Sequence, residues 1–138
     1  MAELHPAARE LLESDALVHL VTLNRDGSPQ LSGVWAGVDG DEIVIASMAL
    51  RLKLRNVQRD PRVSLSVEAK TLNDRGLQEY LVVHGRGRIE EGGAAELLQR
   101  LAHVYMGPDV KFPPMDDPPP GYILRITPER SVGVGPWA

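Results

Sequence analysis

Apolar residues recur along this chain with two different periods, and each change of period marks a new element. In "LHPAARELLE", Leu4, Ala7, Ala8, Leu11 and Leu12 form one stripe, which predicts a helix over Leu4–Glu13 with Pro6 in its first turn. "ALVHLVTL" (Ala16–Leu23) predicts a strand, "NRDGS" a turn centred on Asp26 and Gly27, and "PQLSGVWAGV" (Pro29–Val38) the returning strand. A second turn at Asp39–Asp41 leads into "EIVIAS" (Glu42–Ser47), so three successive strands predict an antiparallel meander. The helical period then returns over Leu50–Arg59. "RDP" ends it, because a proline pushes the residue before it out of helical geometry. Alternation predicts a strand over Arg62–Glu68, a loop over "AKTLNDRGLQ", a long strand over Glu79–Glu90 and an amphipathic helix over Gly93–Met106. Beyond the proline-rich run "GPDVKFPPMDDPPPG", the segment "YILRITPERSVGV" predicts a last strand interrupted at Pro128.

Strands joined by short turns, with two helices inserted among them, predict a mainly β, α+β fold built as a closed or nearly closed antiparallel barrel. Gly85 and Gly87, two apart in "HGRGR", share one strand face. There they either permit a bend or close backbone approach, or are simply tolerated. A length of 138 residues fits one domain, 1–138. With 43% hydrophobic and 25% charged residues and no apolar run near the roughly 18 residues of a bilayer span, a soluble protein without membrane association is expected. The start "MAELHPAARELLES" lacks the basic, apolar and small-residue zones of a secretory leader. The absence of cysteine removes disulfides, thiolate chemistry and Cys-based metal sites, and suits a cytoplasmic location. A net charge of −4 argues against nucleic-acid binding, which draws on many Lys and Arg contacts to phosphate.

Against that acidic background Arg51, Lys53 and Arg55 stand within five residues. On a helix Leu50, Leu54 and Val57 make one apolar face and Arg51, Arg55 and Arg59 a neighbouring stripe. Lys53 flanks the apolar face on its other side, where its ammonium must snorkel out or meet a partner. Following directly on Glu42–Ser47, the helix would aim free N–H groups at Ser47 and Met48. The cluster is either a solvated helix face or an anion pocket at a strand-to-helix junction.

Three blocks carry a family resemblance: "TLNRDGSPQLS" (Thr22–Ser32), "KLRNVQRDPR" (Lys53–Arg62) and the strand that follows. In their order and spacing the chain resembles the pyridoxamine-5'-phosphate-oxidase-like split-barrel flavoproteins, and within them the branch using the deazaflavin coenzyme F420. The resemblance implies a six-stranded antiparallel split barrel of the FMN-binding type with short flanking helices. It implies a homodimer with the cofactor in a groove between subunits. Carried to this chain, it places Gln30, Leu31, Ser32, Gly33 and Val34 beside the flavin-like ring. Ser47, Met48, Arg51, Lys53, Arg55 and Asn56 would hold the phosphate-bearing tail, with Arg59 or Lys70 near its lactyl and glutamyl carboxylates. The implied activity is an F420-dependent oxidoreductase moving a hydride between reduced deazaflavin and an unsaturated or quinone-like small molecule. The alternatives are an FMN-dependent oxidoreductase and a non-catalytic carrier of a flavin, deazaflavin or haem.

Hydride chemistry belongs to the cofactor, so no catalytic residue is required of the chain, and none is assigned. His5, His19, His84 and His103 show no metal-ligand spacing, so no metal is expected. His19 reads as structural, whereas His84 is a candidate proton donor on the substrate side. Trp35 is a candidate substrate-side wall, with packing as its ordinary alternative. Trp137, one residue from the end, is expected to dock on the barrel or on a partner subunit. "FPPMDDPPPG" reads as a stiff spacer or a substrate-side rim.

Overall fold

The computed structural model describes residues 3–138; Met1 and Ala2, which open the segment examined for a leader, lie outside them. Helix α1 (Pro6–Leu12) precedes β1 (Val18–Leu23) and β2 (Pro29–Val34). Between the strands, Gly27 takes a positive φ of 86° and the Asp26 carboxylate accepts from the Ser28 N–H at 3.0 Å, the turn expected of Asp-Gly. Then come β3 (Gly37–Asp39), β4 (Glu42–Ser47), α2 (Leu52–Arg59), β5 (Arg62–Leu72), β6 (Gln78–Glu91), α3 (Ala94–Tyr105) and β7 (Tyr122–Val134).

The stretch Pro29–Val38, expected as one strand, is two. β2 pairs antiparallel with β1 through Val34 opposite Val18, while β3 pairs with β4 from Gly37 opposite Val44. Trp35 and Ala36 lie in neither ladder, because the chain changes partner there. The hydrogen-bonded order is β2-β1-β5-β6-β7-β4-β3, and its two ends are joined through this two-residue link. Counting β2 and β3 as one bent strand, the seven strands close as a six-membered antiparallel barrel. The predicted meander survives in bent form.

Other boundaries move for identifiable reasons. α2 starts at Leu52, not Leu50, because the chain leaves β4 through a tight bend in which Ser47 Oγ donates to Ala49 O at 2.6 Å and Arg51 is extended. The loop after Glu68 shrinks, since β5 and β6 continue as a hairpin whose tip is organised by Asn73 Oδ1 accepting from the N–H groups of Arg75 and Leu77. Pro128 does not interrupt β7. Gly85 pairs with Pro128 and His84 with Arg130, so Glu129 is an extra residue in a bulge that absorbs the proline's missing donor.

The barrel interior is filled by alternate residues of each strand, among them Leu20, Ile43, Ile45, Leu65, Leu81, Val83, Leu124 and Ile126. α1 adds Ala8 and Leu12 to this core, the segment before it adds Leu4, and α2 adds Val57. A second cluster lies on the outer face, where Leu97 and Leu101 of α3 cover Val44 and Ile123. That double coverage explains why "EIVIAS" is apolar without alternation. Trp137 docks on its own barrel: it is 9% exposed, and its indole N–H donates to Tyr80 O at 2.9 Å.

The glycine pair on β6 serves close approach. A Cβ on Gly85 would sit 2.4 Å from Thr127 O, a backbone atom, and one on Gly87 would meet Leu124 and Val57 at 2.8 and 3.0 Å. A Cβ on Gly33 would meet only the half-exposed Leu17 side chain, at 3.3 Å. Gly85→Ala is therefore expected to cost about 1–3 kcal/mol in urea unfolding, as overpacking commonly does. Gly33→Ala should leave the midpoint nearly unchanged, and equal midpoints for the two variants would refute this account.

Candidate functional site

Helix α2 is fastened to the β1–β2 hairpin by a buried amide. Asn56, 1% exposed, donates through Nδ2 to Thr22 Oγ1 at 3.1 Å and to Asn24 Oδ1 at 3.0 Å. Its Oδ1 accepts from Arg59 Nη1 at 3.3 Å, and Arg59 also donates to Leu23 O. The amide's donors and acceptor are thus spent within the protein, as burial of a polar group requires. Asn56 belongs to the support of the site and has no donor left for a phosphate. Ser47 is likewise committed, being buried with its hydroxyl on Ala49 O.

With α2 fixed, its cations fall on two sides. Lys53 is half-buried and lines a groove of about 280 Å³ together with Gly33, Val34, Trp35, Ile45 and Phe112. Burial, and then the neighbouring Arg51 charge, hold its ammonium below the usual lysine pKa of 10.5. Arg55 lies on the other side. It lines a larger groove of about 580 Å³ with Arg25, Arg59, Asn24, Ser28 and one carboxylate, Asp26, between α2 and the β1–β2 turn. Among the described residues no carboxylate pairs with Arg25, Arg51, Lys53, Arg55 or Arg59. No side chain caps the start of α2 at Arg51 either. Cations that outnumber the carboxylates beside them, Asp26 in the Arg55 groove and Asp60 near Arg59, stand next to an uncapped helix start, an arrangement suited to an anion.

The Lys53 groove ends in an aromatic wall. Trp35 stacks on Tyr105, centroids 5.4 Å apart and planes 12° from parallel, and meets Phe112 edge-on at 5.4 Å. Tyr105 Oη also secures the link at the barrel closure: it accepts from Ala36 N–H at 3.2 Å and donates to Ala16 O at 2.9 Å. Burial pushes the Tyr105 phenol pKa up, so it stays protonated and keeps its donor.

The structure thus brings together Gly33, Val34, Trp35 and Lys53 of the expected set, with Arg51 close enough to Lys53 to act on its charge. Gln30 and Ser32 lie on β2, hydrogen-bonded to each other at 3.1 Å, and Leu31 projects outward at 63% exposure. Met48 occupies the bend before α2 and is half-buried. Lys70 lies far along β5 beside Asp15, 3.9 Å away, and Arg59 lines the Arg55 groove. His84 lines neither groove. It sits on the outer face of β6 with its Nδ1 2.6 Å from Ser64 Oγ. Sequence reasoning missed Tyr105, Phe112 and Gln99, which clamps the loop carrying Phe112. Phe112 offered one signal, being the chain's single phenylalanine, set in a run otherwise poor in apolar residues. Among the described residues no three His, Cys, Asp or Glu side chains group as metal ligands, and no helix is long and apolar enough to cross a membrane.

A family model described as pyridoxamine 5'-phosphate oxidase matches residues 4–134. The chain belongs to this family. Members of the pyridoxamine 5'-phosphate oxidase family share the split-barrel architecture found here, and solved structures agree over most of their length. An F420 reductase is 27% identical with a TM-score of 0.72, covering 90% of this chain and 94% of its own. A conserved hypothetical protein from Mycobacterium tuberculosis is 25% identical with a TM-score of 0.71, covering 96% and 87%. A heme binding protein from Mycobacterium smegmatis, 20% identical with a TM-score of 0.65 and covering 92% and 52%, shares the fold.

The lowered pKa of Lys53 has a consequence for stability. Between the lowered folded-state value and the ordinary 10.5, the unfolded chain binds more protons than the folded one, so this group makes stability rise with pH across that window. Lys53→Met should flatten the rise and leave Tm at pH 7 unchanged or higher. Thermal unfolding from pH 7 to 10.5 in buffers free of phosphate and sulfate measures it. An undiminished slope would show that the charge carries no folding penalty.

Proposed function

We propose that this family member is an F420-dependent oxidoreductase, working as a homodimer in the cytoplasm on an unsaturated or quinone-like small molecule. The observation that carries the reading is the half-buried Lys53, sharing its surroundings with Arg51 and no carboxylate, in the groove that also holds Gly33, Val34 and Trp35. A folded protein keeps an uncompensated, partly desolvated ammonium at a cost, and a bound phosphate would offset that cost with a charge-assisted hydrogen bond. The similarity to an F420 reductase at 27% identity supports the same cofactor.

The second cationic groove favours the deazaflavin over FMN. FMN ends at one phosphate, whereas the F420 tail continues from its phosphate into lactyl and glutamyl carboxylates. A chain leaving Lys53 and Arg51 past the start of α2 meets Arg55, Arg25 and the hydrogen-bonded Arg59 on the helix's other side. Those cations suit successive carboxylates.

When bound, the deazaflavin supplies or accepts the hydride. The residues of this chain do the rest. Lys53 and Arg51 hold the phosphate and so fix the ring's distance along the groove. Gly33 and the Leu17 side chain packed against it border the ring along β2, and Val34 and Ile45 exclude water beside it.

Titration with F420 carrying different numbers of glutamates, and with FMN, tests the reading. Wild type should bind F420 in preference to FMN and more tightly as the tail lengthens. Lys53→Ala should weaken F420 at least tenfold, the scale of one charge-assisted hydrogen bond. Arg25→Gln with Arg55→Gln should abolish the dependence on tail length while sparing the shortest form. FMN binding tighter than F420, or Lys53→Ala binding like wild type, would overturn the assignment. A bound cofactor that no acceptor reoxidises would instead identify a carrier.

A further inference from the structure

The docked Trp137 helps to shape a third groove, of about 440 Å³, between α1, the β5–β6 hairpin and the last residues of the chain. It shares no lining residue with either groove beside α2. Its floor is apolar, made by Ala7, Leu11, Ala16, Ala69 and Trp137, all packed on the barrel core. One side comes from an irregularity in the β5–β6 ladder: between the pairs Glu68–Tyr80 and Leu72–Gln78, β5 spends three residues where β6 spends one, Glu79. The Ala69 carbonyl there accepts from Gln78 Nε2 at 3.1 Å, and Thr71 Oγ1 donates to the Glu79 carboxylate at 2.5 Å, so the irregular backbone is held in place. Charge around the floor is one-sided. Glu10 of α1, Asp15 in the link to β1, Glu68 of β5 and Glu79 of β6 line the groove against a single ammonium, Lys70, which lies 3.9 Å from Asp15. Among the described residues no cation pairs with Glu10, Glu68 or Glu79.

We propose that this groove is a second binding site and that its ligand is a linear aliphatic polyamine. The volume falls within the roughly 300–1,000 Å³ of small-molecule sites. An anion would meet like charge at the rim, and a neutral apolar ligand would leave the carboxylates without a partner. A compact cation would use the rim and waste the floor. Methylene segments cover the apolar floor, and ammonium groups spaced along one chain reach carboxylates that stand on separate elements, each through a charge-assisted hydrogen bond. The site stands apart from the cofactor reading, since none of its residues is asked to hold the cofactor.

Isothermal titration of the full chain with spermidine tests this, at about 20 mM ionic strength so that screening does not hide the pairing. One saturable equivalent per chain is expected. Glu68→Gln with Glu79→Gln should raise the spermidine Kd about tenfold or more, through loss of two charged acceptors. Asp116→Asn with Asp117→Asn removes the same charge from the proline-rich run, outside the groove, and should leave the Kd within about twofold. Lys70→Gln, which removes the competing ammonium, should tighten binding. Butylamine, with one ammonium, and Mg²⁺, with charge and no methylenes, should each bind about tenfold more weakly than spermidine or worse. Circular dichroism checks that each variant is folded. No saturable binding to wild type would overturn the proposal, and so would equal losses in the two double variants, which would reduce the effect to diffuse surface charge. Mg²⁺ or butylamine binding as tightly as spermidine would overturn it as well, because the floor or the spaced ammonium groups would then contribute nothing.

Discussion

Everything in this fold depends on one break in hydrogen bonding at Trp35 and Ala36. A single stretch of chain serves β1 with its first half and β4 with its second, and only that change of partner lets the ladder order close on itself. Backbone groups that leave a ladder must find other partners when shielded from water. Tyr105 supplies them from α3, receiving the Ala36 N–H and reaching across to Ala16 O. The same phenol ring stacks on Trp35. Barrel closure and the aromatic wall of the groove are therefore one arrangement seen from two sides: the residue excused from the ladder is the one free to face the groove.

A second constraint operates at α2. Eight residues of helix have little stability of their own, so its place is set by tertiary contacts. Leu54 and Val57 bury apolar surface, but apolar contacts alone would let the helix slide. The Asn56 amide, satisfied by Thr22 and Asn24 and backed by Arg59, fixes both rotation and position. Lys53 then has to face the Trp35 groove, and Arg55 the turn. The angular separation of the cations follows from which residue the helix buries, and it yields two anion-suited surfaces where a looser helix would offer one diffuse patch.

Much of this was legible in the sequence. Element types followed from periodicity because most elements bury one face. The β6 glycines left a bend, a close approach and mere tolerance open, and the structure shows the close approach, to β7 and α2. The basic cluster on α2 stood out by spacing alone. Four features were not readable. The break at Trp35 is invisible because Trp-Ala continues an apolar strand pattern; only the pairing partner changes. Pro128 was read as an interruption because a bulge, which needs the facing Gly85, is a property of two strands. Asn56 was assigned to a ligand because a buried and an exposed asparagine look alike until their partners are known. His84, singled out as a substrate-side donor, lies on the opposite face of its strand from the barrel interior, paired with Ser64.

The distribution of ion pairs decides how the cations of α2 should be understood. This chain carries more acidic than basic groups, so counter-ions are not scarce. Where β7 meets β4 and β6 they are used: Arg125 meets Asp39, Glu42 and Glu90 at 2.9, 3.4 and 3.2 Å, and Arg88 shares Glu42 at 3.1 Å. Arg62 takes Asp60, whose carboxyl is held down to about 2 by that hydrogen-bonded guanidinium. Even Arg9 on α1 finds Asp41. On α2 and the adjoining turn, five cations collect with no carboxylate partner among the described residues, and one of them is half-buried and pays for it in its pKa. Packing does not ask for this concentration, since Leu54, Val57 and Asn56 already hold the helix. What remains is a surface on which cations outnumber the carboxylates beside them, Asp26 and Asp60, and which suits an anion from outside the chain.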